Sequence, residues 1–256
     1  MINIILFASD LDNTLIHSYK KADTSDICVE KKEGKELSYM TPYALQLLRE
    51  VNNSDNILFS PVTTRSLEQY LRIDFFNNVP PKMALAANGG ILIQNGEIDS
   101  IWFEESKKLM QDCYEEFRKG ISFFQHDEYI YFDIRVVDEL FVFTKSSAPL
   151  TTRSILDDIL DLNKVKTYNI GDKVYIFPNI LTKGTALQRL KQRFDFEKII
   201  CAGDSEFDVP MLNIADTALC PDELKKEVSS SQAVSFDTAK RNFAEQILEY
   251  VQSSAN

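Results

Sequence analysis

Asp10 and Asp12 stand two residues apart in Asp10-Leu11-Asp12-Asn13-Thr14, directly after the apolar run Ile4-Ile5-Leu6-Phe7. Two carboxylates so close repel each other unless they share a cation, and Mg²⁺ suits a site built from carboxylate and carbonyl oxygens. A second acidic pair, Asp204 and Asp208, follows another apolar run, Ile199-Ile200-Cys201-Ala202, through Gly203. Four residues apart, these two share a face if a helix begins there, and can reach one cation. Lys183 lies in Leu181-Thr182-Lys183-Gly184-Thr185, at the expected start of a helix. A cation there opposes the helix dipole and calls for an anion, for which a phosphate is suited. Thr63, at an expected strand end, can donate its hydroxyl to a phosphate oxygen. Each stretch alone has a plainer reading: a polar turn after an edge strand, helix capping for Asp204 and Thr63, a solvated surface lysine for Lys183.

The elements that position these groups follow from the apolar pattern. A continuous run such as Ile4 to Phe7, within the stretch Ile2 to Thr14, predicts a strand buried on both faces, as in a parallel sheet. In such a sheet the ligand crevice lies beyond the carboxyl ends of the strands, where both acidic pairs fall. Thr41-Pro42 opens a helix with Thr as N-cap and Pro at its first position, burying Ala44, Leu47, Leu48 and Val51. Asn56 to Val62 predicts a second strand ending in Thr63-Thr64-Arg65, and Met83 to Ala87 a third ending in Asn88-Gly89-Gly90. Asn95-Gly96 predicts a hairpin turn between strands at Ile91-Leu92-Ile93 and Ile101-Trp102-Phe103. The charged segment from His17 to Met40 reads as a β-hairpin flap turning at Lys32-Glu33-Gly34-Lys35. It either covers bound substrate or is a solvated insertion.

The middle of the chain changes pattern. Glu105 to Arg118 and Leu150 to Leu162 predict helices, Tyr129 to Ile134 with Leu140 to Phe143 a strand pair, and Val165 to Asn169 with Lys173 to Pro178 a hairpin turning at Gly171-Asp172. This αββαββ block implies an antiparallel sheet with helices on one face, a separate unit inserted between parallel-sheet segments. The expected division is therefore a core of residues 1–103 and 180–256 with an inserted domain of residues 104–179. After it, Lys183 to Arg193 predicts a helix, and a last helix buries Ala244, Ile247, Leu248 and Val251.

Composition narrows the function classes. Of 256 residues 44% are hydrophobic, yet no stretch approaches the ~20 apolar residues of a membrane span. No basic region precedes a long apolar segment and cleavage site at the N-terminus, so a cytoplasmic location is expected. A net charge of −11 argues against a nucleic-acid surface while leaving room for one local phosphate site. Cys28, Cys113, Cys201 and Cys220 lack paired metal-ligand spacing, so they are expected as reduced packing residues. His17 and His126 are too few and too scattered for a histidine-based site.

Together the four stretches resemble the haloacid dehalogenase superfamily of phosphohydrolases, in order and over nearly the whole chain. Asp10-Leu11-Asp12-Asn13-Thr14 is similar to its first motif, Thr63 to its second, Lys183 to its third, and Gly203-Asp204 with Asp208 to its fourth. The insertion after Asn88-Gly89-Gly90 resembles the branch with a large cap, which includes Cof-type and sucrose-phosphate phosphatases and phosphomannomutases. Asn13 stands where that branch often has Gly, and Thr64 where Gly is usual. The resemblance implies an α/β fold: a rossmannoid parallel-sheet core with an inserted α+β (αββαββ) cap domain. It implies Asp10 as nucleophile forming an aspartyl-phosphate, Asp12 as acid and base, and Thr63 and Lys183 as phosphate-binding residues. Mg²⁺ would be held by Asp10, Asp12 through its backbone carbonyl, Asp204 and Asp208. The expected partner is a small phosphorylated metabolite, most simply a sugar phosphate, with Arg65 and Asn88 as polar contacts and Arg135 and Lys145 as further candidates in the cap. The chain is expected as monomer or homodimer, with no nucleic acid or membrane partner. A phosphomutase or a non-catalytic regulatory protein would share the same scaffold.

Overall fold

The computed structural model describes residues 4–254, so Ile2 lies outside the described residues. The chain divides into two compact units, Met1–Asp99 with Thr182–Asn256, and Ser100–Leu181. The first unit opens with β1 (Ile5–Ser9), β2 (His17–Ser18), β3 (Ile27–Lys32) and β4 (Lys35–Met40). It continues through α1 (Pro42–Asn52), β5 (Ile57–Pro61), the short α2 (Leu67–Tyr70), β6 (Met83–Ala86), β7 (Ile91–Gln94) and β8 (Glu97–Ile98). The second unit holds α3 (Ser100–Leu109), α4 (Tyr114–Phe124), β9 (Arg135–Val137), β10 (Phe141–Lys145), α5 (Pro149–Ile159), β11 (Val165–Ile170) and β12 (Lys173–Pro178). The first unit is completed by α6 (Lys183–Arg193), β13 (Lys198–Ala202), α7 (Val209–Leu212), β14 (Thr217–Pro221), β15 (Ala233–Phe236) and α8 (Phe243–Ser253).

Five strands of the first unit form a parallel sheet in the order β15-β14-β13-β1-β5. All five residues of β1 are buried, as its unalternated apolar run requires. Ser9 pairs with Pro61 on one side and Ala202 on the other, so three strands end level. Because β1 lies between β5 and β13, this is where the strand order reverses and a crevice opens. Asp10, Thr63 and Gly203-Asp204 leave the sheet at that point. Helix α1 packs on β5 and α8. Its buried face comprises Ala44, Leu45, Leu47, Leu48 and Val51, each large side chain stabilising the fold by roughly 1.5–3 kcal/mol. The Thr41 hydroxyl accepts from the Ala44 N–H at 3.1 Å, the cap that the Thr-Pro pair predicts.

The segment after β1 forms a three-stranded antiparallel sheet, β2-β4-β3, with its turn at Glu33-Gly34. Two register shifts interrupt the β3–β4 ladder. Cys28 pairs with Tyr39 and Glu30 with Ser38, leaving Val29 as an extra residue; the next pair, Lys31 with Glu36, restores the register. Strict alternation would send Val29 and Glu30 to opposite faces, but the bulge leaves both 3% exposed.

The second unit carries an antiparallel sheet, β11-β12-β10-β9. Phe117 and Phe124 of α4 and Leu156 of α5 cover one face, against Val142, Val165, Val174 and Ile176. Its order is ααββαββ rather than the expected αββαββ. Ile101-Trp102-Phe103 begins α3 and is not a strand, because the Asn95-Gly96 turn pairs β7 only with Glu97 and Ile98. Three apolar residues do not distinguish helix from strand, and Trp102 is buried with Ser106, one helical turn on. The helix expected over Glu105 to Arg118 is two, α3 and α4, separated by a tight turn at Gln111–Cys113 that brings Cys113 and Phe117 into the unit's core. Tyr129 to Ile134 is not a strand. It follows β10 through one bridge, Ile130 with Ser146, and a bond from the Thr144 hydroxyl to the Phe132 carbonyl, while Arg135–Val137 takes the ladder position. Among the described residues no helix is long and apolar enough to cross a membrane.

Candidate active site

Four chain segments converge at the carboxyl end of β1. The Asp10 N–H continues the sheet by donating to the Ala202 carbonyl at 2.9 Å, which fixes the Asp10 side chain beside the end of β13. A tight turn follows, in which the N–H groups of Thr14, Leu15 and Ile16 all donate to the Leu11 carbonyl. Asn13 has φ of 62° in this turn, a conformation that Asn tolerates better than most residues, which explains why it can stand in for Gly.

Lys183 is the first residue of α6, set by the Thr182 hydroxyl accepting from the Thr185 N–H at 3.0 Å. It is 1% exposed, and its Nζ donates to Asp10 Oδ1 and Asp208 Oδ1 at 2.5 Å each. The anion that this cation calls for is therefore supplied by two carboxylates of the chain itself.

Asp204 and Asp208 do not share a helix face, because α7 begins after Asp208. Asp208 instead folds the loop: its Oδ2 accepts from the Asp204 N–H, the Ser205 N–H and the Ser205 hydroxyl at 2.9 to 3.0 Å. The loop turns Asp204 toward Thr14, whose hydroxyl donates to Asp204 Oδ1 at 3.2 Å. Gly203 is required for this fold-back, since a Cβ there would lie 2.3 Å from the Asp208 Cβ. Gly203→Ala is expected to cost ~2–3 kcal/mol through overpacking and to lower the melting temperature by several degrees. A thermal melt indistinguishable from wild type would contradict that packing.

At the end of β5 the Thr63 hydroxyl accepts from the Arg65 N–H at 3.1 Å. The loop is pinned to the strained turn after β6, where Ala87 and Asn88 have φ of 49° and 56°. Ala87 N–H donates to the Arg65 carbonyl and Asn88 N–H to the Thr63 carbonyl, so Asn88 supports Thr63 through its backbone. The Arg65 guanidinium forks Asp12, with Nε to Oδ2 at 2.7 Å and Nη2 to Oδ1 at 2.8 Å. Its remaining nitrogen lies 2.9 Å from Glu30 Oε2. Glu30 also accepts from Ser38 at 2.6 Å and pairs with Arg72 at 3.0 Å. Thr14, Glu30, Ser38 and Arg72 were not singled out from sequence. Thr14 lies inside the first acidic motif, but nothing in the flap's residue pattern marks Glu30 as buried.

Asp10, Asp204 and Asp208 can each bring an oxygen within 4.8 Å of the others. Burial, above all, pushes Asp10 well above the usual carboxylate range; Lys183 draws it back, and Asp208, Asp204 and Asp12 push it further up. Burial and then Asp208 lift Asp204 to about 6. Burial disfavours the charge on Lys183, but Asp10 and Asp208 more than offset this and hold it protonated. Three carboxylates around one ammonium leave the group short of positive charge. An all-oxygen donor set with that deficit fits a hard divalent cation. The Asp12 carboxylate is outside this group and in the grip of Arg65. A cleft of about 740 Å³ adjoins Asp204, but Asp23, Asp26, Glu206, Glu223 and Glu227 line it, so it repels rather than draws an anionic ester.

No family model and no curated protein matches the chain. Solved structures do. The sucrose-phosphatase of Synechocystis, in complex with sucrose and phosphate, matches with a TM-score of 0.60 at 14% identity over 99% of this chain and 98% of that one. The C-terminal domain of the C. albicans trehalose-6-phosphate phosphatase matches with a TM-score of 0.62 at 12% identity, over 99% and 92%. The Aspergillus fumigatus trehalose-6-phosphate phosphatase matches at 0.56 and 13%, over 98% and 93%. The chain has the fold of these sugar-phosphate phosphatases, the one implied by the resemblance of its four motifs to the haloacid dehalogenase superfamily.

Proposed function

We propose that the protein is a Mg²⁺-dependent phosphatase of the haloacid dehalogenase superfamily that hydrolyses a small phosphorylated metabolite, a sugar phosphate, with Ser100–Leu181 as its inserted cap domain. The observation that carries this reading is the convergence of Asp10, Lys183 and Asp204 from three separate segments on the end of one central strand. The fold shared with sucrose- and trehalose-6-phosphate phosphatases supports a sugar phosphate as substrate.

In the first half-reaction an Asp10 oxygen forms a bond to phosphorus as the ester P–O bond breaks, and the leaving oxygen takes a proton from Asp12. In the second, Asp12 accepts a proton from the water that attacks the aspartyl-phosphate, and Asp10 is released. Lys183 and the Thr63 hydroxyl hold phosphate oxygens as their charge shifts. Asp10, Asp204 and the backbone carbonyl of Asp12 would hold Mg²⁺, with Asp208 shaping the loop. Bound there, the ion supplies charge neutralisation for the phosphoryl oxygens.

The test is a panel of sugar, nucleotide and vitamin phosphates assayed for phosphate release with Mg²⁺ and with excess EDTA. Release from sugar phosphates that stops on chelation is the expected result. Full activity in EDTA with negligible metal content would overturn the Mg²⁺ dependence. Fast conversion of hexose 1-phosphate to hexose 6-phosphate with little free phosphate would replace hydrolase by mutase.

A further inference from the structure

We infer that the flap after β1 is part of the acid–base apparatus: Glu30 fixes the Arg65 guanidinium, and Arg65 in turn positions the Asp12 carboxylate. The inference rests on the phosphatase reading above and extends it to two residues outside the four motifs. A carboxylate that exchanges a proton with a leaving oxygen needs a fixed plane, since a small misplacement costs rate steeply. Asp12 opens the tight turn between Leu11 and Ile16 and its side chain is half exposed, so its backbone leaves that plane open. Arg65 closes it with a two-bond fork, the geometry in which guanidinium and carboxylate define each other's orientation. Half of the Asp12 side chain stays exposed beyond the fork.

Arg65 needs a fixed point of its own. Its third nitrogen meets Glu30, which is 3% exposed and held by Ser38 and Arg72. Glu30 reaches this position only because the Val29 bulge turns it inward. The flap strand is in turn tied to the core unit, where Asp74 N–H donates to the Val29 carbonyl at 2.8 Å and Glu30 bridges Ile73. A solvated insertion would have no use for a buried glutamate shared by two arginines. Arg65 and Glu30 are positioning residues, since they act through Asp12.

The leaving group separates positioning from a merely structural role. An alkyl phosphate needs a proton on its leaving oxygen, whereas dinitrophenyl phosphate departs without one, and kcat/KM reports only steps through the first phosphoryl transfer. In Arg65→Ala, kcat/KM for the alkyl ester is expected to fall about 10²-fold, and for dinitrophenyl phosphate at least ten times less. Glu30→Gln, which keeps the shape but not the charge, is expected to shift the ratio of the two the same way by a smaller factor, with thermal melts establishing that both variants fold. Equal losses on the two esters, or alkyl-ester turnover that holds or rises in Arg65→Ala, overturns the positioning role and leaves the hydrolase reading intact. No phosphate release by the wild-type protein from either ester overturns the hydrolase reading itself, and this inference with it.

Discussion

Asp10→Asn is expected to fold normally and to lose at least about 10⁴-fold in phosphate release, because the amide keeps the shape of the side chain but not its nucleophilic oxygen. The substituted protein should melt no lower than wild type without divalent metal. Asp10 is buried beside Asp204 and Asp208, and burial with these neighbours already disfavours its charge. Removing that charge leaves Lys183 still paired with Asp208 at 2.5 Å. The measurement is p-nitrophenyl phosphate turnover beside a thermal melt. Near-wild-type turnover would end the covalent mechanism, and a drop in melting temperature would show that the Asp10–Lys183 pair is worth more than the repulsion it accompanies.

The opposite substitution at the same contact carries the largest stability cost. Lys183→Met removes the one ammonium between Asp10 and Asp208 and leaves two buried carboxylates without it. Breaking a buried pair from one side costs about 3–5 kcal/mol, which lowers the melting temperature by roughly 10 °C in a chain of this size. The loss should be greater at pH 7.5 than at pH 5. Asp10 and Asp204 have folded-state pKa values above their ordinary ones, Asp204 near 6. Such groups contribute stability that is present at low pH and lost as pH rises through the folded value. Near pH 5 Asp204 takes up a proton and tolerates the missing cation; at pH 7.5 it is charged and repels its neighbours. Mg²⁺ should restore part of the melting temperature at pH 7.5. Equal melting of variant and wild type at pH 7.5, or a greater loss at pH 5, would contradict this account of the site's charge.

Much of the frame is legible from residue order because short-range physics determines it. An unbroken apolar run must be buried on both faces, so β1 and β13 follow from Ile4 to Phe7 and Ile199 to Ala202. A Thr-Pro pair starts a helix wherever it stands, and Lys183 to Arg193 is bounded as its spacing predicts. The expectations that failed are those in which a distant partner chose between local alternatives. Ile101-Trp102-Phe103 suits strand or helix, and the length of the Asn95-Gly96 hairpin decided for helix. Nothing local interrupts a helix at Met110; packing of Cys113 and Phe117 against β10 and β12 did.

At the site the division is the same. Sequence alone determined which groups are present: acidic pairs after apolar strands, a lysine opening a helix, a threonine ending a strand. Residue type and position within an element are local properties, and it is their joint order along the chain, through its resemblance to the four haloacid dehalogenase motifs, that implies phosphoryl chemistry. Only the tertiary structure decided how those groups pair. It joined Lys183 to Asp10 across 173 positions, folded Asp208 back onto its own loop, and turned Glu30 inward through a bulge to hold Arg65 against Asp12. Contacts of that kind depend on strand order and register, set by burial summed over the whole sheet, and no single stretch of residues contains that sum.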